Sequence, residues 1–253
     1  MSAPLLWVET GGDGARTLVL LHGLGATGAV WRGVLDLLAK RGGVRWVVPD
    51  LPGHGASAWC DDYAVPALAQ VLGRGLRDCS PCLVLGHSLG TYLGIALAGP
   101  GCSVAVRGVL GIGPKISWSG TELAASRELA GRAVRWYPDS AEVQARYGRV
   151  SGLGAIPGLD ARALARGVSA GERGWRLAQD PRSFSAAGTP FASLVAACRA
   201  PLILARGEHD AMVSLAALQS HATAAHELAG CGHNAHVEDP AAVLRLLDPW
   251  LAA

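Results

Sequence analysis

The pentapeptide Gly86-His87-Ser88-Leu89-Gly90 carries the most specific chemistry in the chain. A strand-like apolar run, residues 83–85, precedes it, and a helical pattern, residues 91–98, follows it. A serine between two glycines at such a strand-to-helix turn is held in a strained conformation that projects its hydroxyl. The flanking residues are small because strand and helix approach closely there. The helix N-terminus behind the serine favours negative charge. A serine hydroxyl needs a base, and the base needs a carboxylate to orient it. Two later segments offer these groups. The run 201–206 ends in Gly207-Glu208-His209-Asp210, and another short apolar run leads into Gly230-Cys231-Gly232-His233. Each places a polar residue just past the C-terminal end of a strand, where open α/β sheets build their sites.

Positioning these groups requires a sheet, and the pattern supplies one. Apolar runs at residues 17–21, 45–48, 83–85, 106–112 and 202–205 read as strands. Between them, residues 30–40 and 64–77 read as helices, the second from Leu68, Val71, Leu72 and Leu76 at helical spacing. The tail 241–251 is helical, opened by Pro240, which suits a first helical turn. Strands alternating with helices imply βαβ units and a mostly parallel sheet whose strands are buried on both faces. Residues 115–187 break the rhythm. No convincing buried strand occurs there. Residues 122–135 and 141–147 look helical, and Gly152, Gly154, Pro157 and Gly158 interrupt them. Trp118, Trp136, Tyr137, Tyr147, Trp175 and Phe184 add aromatic bulk. The expected organisation is a core of residues 1–114 and 188–253, with residues 115–187 as a helical lid over the sheet.

With these segments in place, the chain resembles the α/β-hydrolase family over nearly everything outside the insertion. The resemblance rests on five motifs in the family's order: Leu21-His22-Gly23-Leu24-Gly25, Asp50-Leu51-Pro52-Gly53-His54-Gly55-Ala56-Ser57, the serine pentapeptide, Gly207-Glu208-His209-Asp210, and Gly232-His233 followed by Glu238-Asp239-Pro240. It implies the α/β-hydrolase fold, with Ser88 as nucleophile, Asp210 as acid and His233 as base. It also implies an oxyanion hole at the backbone N–H groups of Leu24 and Leu89. The implied function is hydrolysis of a carboxylic ester, lactone or thioester through an acyl-enzyme. Serine at the elbow argues against haloalkane dehalogenases and epoxide hydrolases, which use aspartate there. Carbon–carbon bond hydrolases usually carry Gly-Pro in the oxyanion loop, where this chain has Gly25-Ala26, and rank second. A small-molecule receptor on the same fold is a further alternative.

Other patterns compete with this reading. Gly23-Leu24-Gly25-Ala26-Thr27-Gly28 is a literal G-x-G-x-x-G, and Asp50 lies where a dinucleotide site places its ribose ligand. The later serine, acid and histidine motifs have no role in such a domain, so Asp50 is read as a structural turn residue. Cys79-Ser80-Pro81-Cys82 matches C-x-x-C, but a strand rather than a helix follows it. His233 and His236 are three apart, yet no H-E-x-x-H or carboxylate cluster supports a metal. No cofactor is expected. Glu208, one position off the acid pattern, and His209, His221 and His226 are read as solvated. His22, His54 and His87 should lie near the site and shape its pocket.

Bulk properties fit a single enzyme domain. The chain has 253 residues, half of them hydrophobic, and a formal net charge of +2. A nearly even balance gives no sign of a nucleic-acid partner. No run reaches the roughly 18 apolar residues of a membrane span. Residues 1–6 lack the basic and apolar regions of a signal peptide. The expectation is a cytoplasmic protein with a small-molecule substrate and six free thiols.

Overall fold

The computed structural model describes residues 5–157, 159, 161–222 and 224–252. Residues 1–4 and Gly158, both used in the sequence reading, lie outside that set. The chain runs β1 (Val8–Gly11), β2 (Arg16–Leu21), α1 (Arg32–Arg41), β3 (Val44–Pro49), α2 (Val65–Gly75), β4 (Cys82–His87), α3 (Leu89–Leu97) and β5 (Val106–Ile112). It continues through α4 (Gly120–Ala130), α5 (Ser140–Ser151), α6 (Ala161–Arg166), β6 (Val168–Gly171), β7 (Gly174–Leu177) and α7 (Phe191–Ala197). The last part holds β8 (Leu202–Gly207), α8 (Leu215–Gln219), β9 (Ala224–Leu228), α9 (Ala235–Glu238), α10 (Pro240–Arg245) and α11 (Asp248–Ala252).

Seven strands form one sheet in the order β1-β3-β2-β4-β5-β8-β9. Only β1 is antiparallel to its neighbour; the rest pair in parallel. This is the mostly parallel sheet of the α/β-hydrolase fold, flanked by helices. Side chains alternate between its faces. Val19, Leu21, Val84 and Val109 join Leu68, Leu72 and Leu93 of α2 and α3 in one core. Leu18, Leu20, Leu85 and Leu110 join Val34 and Leu38 of α1 and Val243 of α10 in the other. Continuous apolar strands are the sequence signature of this two-sided burial.

Three elements differ from the sequence reading. The edge strand β1 is partly exposed and has no apolar run to announce it. Between residues 115 and 187 a two-stranded antiparallel hairpin, β6–β7, accompanies the helices; its strands are exposed or half-buried, and so carry no buried-strand pattern. The tail forms two short helices rather than one. Pro249 lacks the N–H a continuous helix would need and sits instead in the first turn of α11.

The sheet's central feature is the turn between β4 and α3. Ser88 has φ 50° and ψ −113°, and among the described residues it is the one non-glycine with positive φ. A Cβ on Gly86 would meet the Gly90 carbonyl oxygen at 2.4 Å, and one on Gly90 would meet the Leu21 carbonyl oxygen at 2.0 Å. Both contacts are with backbone, which cannot swing aside. Gly90→Ala should therefore force β2 and α3 apart and cost about 3 kcal/mol or more, readable as a lowered urea midpoint or as insoluble protein. A variant of wild-type stability would show that the elbow has slack.

Candidate active site

Ser88 is partly exposed at the N-terminal end of α3, its N–H bonded to the Ile112 carbonyl at 2.8 Å. Asp210 follows β8, with its side chain fully buried. His233 follows β9, and its Nδ1 lies 2.9 Å from Asp210 Oδ2. Asp210 Oδ1 accepts the Met212 N–H at 2.8 Å, and the Arg206 guanidinium donates to the Asp210 carbonyl at 2.7 Å. Burial alone would raise the Asp210 carboxyl, but the hydrogen bond and charge of His233, with the Met212 N–H, hold it below its usual range. An ionised Asp210 accepts a hydrogen bond from His233 Nδ1–H, which fixes the tautomer and leaves Nε2 as the ring's free acceptor. Ser88 and His233 line one cavity of about 800 Å³, together with Leu24, Leu89 and His87. Among the described residues no hydrogen bond joins Ser88 Oγ to the ring; such bonds often tighten only when substrate is present.

Leu24 and Leu89 both face this cavity. Neither N–H has a protein acceptor among the described residues. For Leu89 this follows from its place as the first residue of α3, where a helix has no internal partner to offer. The structure thus brings the serine, the imidazole–carboxylate pair and two unpaired backbone donors to a single cavity.

Among the remaining polar residues, His22 and His54 are placed differently from the sequence reading. His87 lines the cavity, whereas His22 and His54 lie beneath it, at 0% and 1% exposure, and are not part of its wall. His236 is buried between Trp31, at 4.5 Å between ring centroids, and His87, at 4.2 Å, and neither of its ring nitrogens has a partner among the described residues. Glu208 and His209 are exposed, and Glu208 accepts the Gly230 N–H at 2.8 Å. Asp50 is fully buried. Its oxygens accept from Gly28 N, Ala56 N and Arg166 Nη2 at 2.8, 2.9 and 2.9 Å, which leaves it unsuited to a ribose. Cys79 and Cys82 are both buried, and burial pushes the Cys82 thiol up to about 12, far from a redox thiolate. No group of three or more metal-ligating side chains occurs among the described residues.

Sequence reasoning missed two supports. Gly113, with φ 57°, passes so close that a Cβ would meet Asp210 Oδ2 at 3.0 Å and His233 Cε1 at 3.2 Å. His87 Nε2 donates to the His233 carbonyl at 3.0 Å, tying the serine elbow to the histidine loop. Neither carries a motif. A glycine ending a strand and a histidine beside the serine become informative only once the strands are side by side.

A model of the Alpha/beta hydrolase family matches residues 18–246, and the chain belongs to that family. It is 43% identical over 93 residues to a pimeloyl-(acyl-carrier protein) methyl ester esterase of Aeromonas hydrophila subsp. hydrophila, covering 36% of this chain and 35% of that one. It is 36% identical over 101 residues to the magnesium-chelatase 30 kDa subunit of Rhodobacter capsulatus, covering 38% and 35%. The chain thus matches about a third of the length of these curated relatives. The fold superposes on a hydrolase from Pseudomonas aeruginosa PA01 with a TM-score of 0.76 at 20% identity, covering 98% of this chain and 94% of that one. It also superposes on the thioesterase domain from the curacin biosynthetic pathway, with a TM-score of 0.73 at 20% identity, covering 98% and 95%. Methyl ester esterases thus stand among the curated relatives, and a hydrolase and a thioesterase domain among the similar structures. No helix among the described residues is long and apolar enough to cross a membrane.

The histidine cluster makes a stability prediction. Burial lowers His22 from 6.5 to about 4 and, with neighbouring histidines adding to it, His54 and His236 to about 3; His87 is driven down for the same reasons. The unfolded chain binds these protons below about 6.5 while the native protein does not, so stability falls as pH drops through that window. Each group contributes a slope of up to about 1.4 kcal/mol per pH unit until its native form protonates. Asp210 acts lower still, its contribution being lost as pH falls through its depressed value. Urea unfolding at pH 7, 6 and 5 should show steep loss, with about three to four protons taken up on unfolding at pH 5. A flat profile would mean that the rings are charged or solvated.

Proposed function

We propose that the chain is a serine hydrolase acting on a carboxylic ester, lactone or thioester. The observation that carries the reading is the 2.9 Å His233–Asp210 bond opening into the cavity that also holds Ser88 at its strained turn. His233 Nε2 takes the Ser88 hydroxyl proton as Oγ bonds to the substrate carbonyl carbon. The oxyanion that forms is met by the N–H groups of Leu24 and Leu89. His233 then gives the proton to the departing alkoxide or thiolate, and the acyl-enzyme remains. Water, deprotonated by the same ring, releases the acid and restores Ser88. The low-lying Asp210 carboxyl favours the imidazolium that exists between these steps. The partial identity to methyl ester esterases supports an ester substrate.

Residues 115–187 serve, in this reading, as a lid over the serine. Ala125 and Leu129 of α4, Val150 of α5 and Phe184 supply apolar wall to the cavity. Apolar walls exclude water and grip an acyl or leaving group. We expect small to medium apolar acyl groups to be preferred over long lipid chains. In a chain-length series of p-nitrophenyl esters, shortening the α4 segment should broaden the profile toward longer acyl groups. An unchanged profile would remove the lid from substrate selection.

The mechanism is tested with a panel of esters, lactones, thioesters and vinylogous diketones. Ser88→Ala should abolish fluorophosphonate labelling and lower kcat by about 10⁴–10⁶-fold. Asp210→Asn should stay folded and lose about 10³–10⁴-fold, because the amide favours the wrong tautomer and cannot stabilise the imidazolium. His233→Ala should be inactive, while His236→Ala should change the rate modestly. Labelling that persists at another serine would sink the nucleophile assignment. Turnover confined to diketones would favour a carbon–carbon hydrolase, and binding without turnover a receptor.

A further inference from the structure

We infer that His22 and His54 form a reciprocal clasp that aims the Leu24 N–H into the cavity, making both histidines positioning residues for the oxyanion hole. The inference rests on the reading of that N–H as an oxyanion donor. The geometry is specific. His22 Nδ1 lies 2.8 Å from the Gly23 carbonyl oxygen, and His22 Nε2 accepts the Leu51 N–H at 2.8 Å. His54 Nδ1 lies 3.1 Å from the Pro52 carbonyl oxygen, and His54 Nε2 accepts the Gly25 N–H at 3.1 Å. Each ring therefore sits on one loop and accepts a backbone N–H from the other. The two rings meet edge to face with centroids 5.3 Å apart.

The backbone partners settle both tautomers. A carbonyl can only accept, so each Nδ1 carries the proton; a backbone N–H can only donate, so each Nε2 carries a lone pair. Both rings must then be neutral, and burial of both agrees with that. Imidazole suits this task because it holds a donor and an acceptor at fixed positions on one rigid plane.

The consequence for Leu24 comes from peptide geometry. The Gly23 carbonyl and the Leu24 N–H belong to one planar trans peptide and point in opposite directions. The carbonyl is held by His22 Nδ1–H and by the Ala26 N–H at 3.1 Å. Turning the Leu24 N–H away from the cavity would break both bonds. The next peptide is held from the other side, by His54 on the Gly25 N–H. His54 is itself fixed from outside, through a backbone β-bridge to Gln179, a residue of the cavity wall. Neither histidine lines the cavity, so neither touches substrate.

The test uses the different reach of Asn and Gln. An asparagine amide lies at the position of Nδ1, and a glutamine amide reaches the position of Nε2. At residue 22 the essential group is the δ donor, so His22→Asn should keep most of the rate and His22→Gln should lose it. At residue 54 the essential group is the ε acceptor, so His54→Gln should keep most of the rate and His54→Asn should lose it. The losing variants should drop kcat about 10–100-fold, short of deleting a donor outright, with KM within about threefold. A trifluoromethyl ketone, which forms the tetrahedral adduct, should weaken in parallel with kcat. The same ranking of Asn and Gln at both positions would overturn the clasp, as would losses confined to KM or tracking the melting temperature. If a losing variant does not fold, the swapped preference is read from the other position and the two retaining variants. A wild type inert to fluorophosphonate and esters is a separate failure, one that removes the hydrolase reading beneath the inference.

Discussion

The close approach of three backbones at the end of β4 governs the rest of the structure. The chain must leave a central strand, reverse into a helix and pass within contact distance of β2. Only glycine at 86 and 90 allows this, and the strain is taken up at Ser88, with its φ of 50°. The turn brings the end of β2, and with it the loop of Leu24, alongside the first turn of α3. It also leaves the Leu89 N–H unpaired at the helix start. The loops after β8 and β9 reach the same point because β8 and β9 continue the parallel sheet on the far side of β5. One backbone constraint thus fixes the serine, one donor directly and a second donor through its neighbour.

Charge is distributed around that point with a clear division. Asp50 and Asp180 are buried but saturated: Asp50 by two backbone N–H groups and Arg166, Asp180 by the Tyr63 hydroxyl, the Arg182 guanidinium and its backbone N–H. His22, His54, His87 and His236 are buried and neutral, and burial is the largest reason in each case. His233 differs from all four in facing a carboxylate, with its side chain 24% exposed. Of the five rings, His233 is thus the one hydrogen-bonded to a carboxylate. His236 is the exception that packing does not explain, since both ring nitrogens are buried without a partner among the described residues.

Much of this arrangement was legible from residue patterns. Buried parallel strands announce themselves as apolar runs, and the glycine-framed serine announces a turn that no other geometry needs. Asp210 and His233 were legible because each follows a strand end, where the sheet's open edge lies. What stayed hidden shares a physical cause. β1 and the β6–β7 hairpin are half-exposed, so no apolar alternation marks them. His87 on the His233 carbonyl and Gly113 against the Asp210 carboxylate are contacts between residues far apart in sequence, and only the strand order brings them together. His22 and His54 read as pocket residues because they sit in motif loops; burial beneath the loop, rather than in its wall, depends on packing that spacing does not encode.

The segment Asp50 to Ser57 illustrates how a motif can be scaffold throughout. Asp50 holds the Gly28 N–H in the loop after β2 and the Arg166 guanidinium at the end of α6. Gly53 offers its carbonyl to the Asp180 N–H at 2.8 Å, and a Cβ on it would meet the Tyr63 hydroxyl at 2.4 Å. Ser57 Oγ closes the turn on the Asp50 carbonyl at 2.6 Å and receives the Trp7 N–H at 2.8 Å. None of these residues faces the cavity, yet together they tie the loop of Leu24 to the segment that runs from α6 to Asp180. His54 and Asp50 are the links, each holding a backbone N–H of the Leu24 loop. By contrast, the bonds of α4, Lys115 with Glu122 and the Ser126 hydroxyl on the Phe184 carbonyl, stay within residues 115–187. In the proposed reading, the side of the insertion anchored on Asp50 and Gly53 must hold still for the Leu24 N–H to keep its aim, because that anchor and the loop of Leu24 share the same bonds.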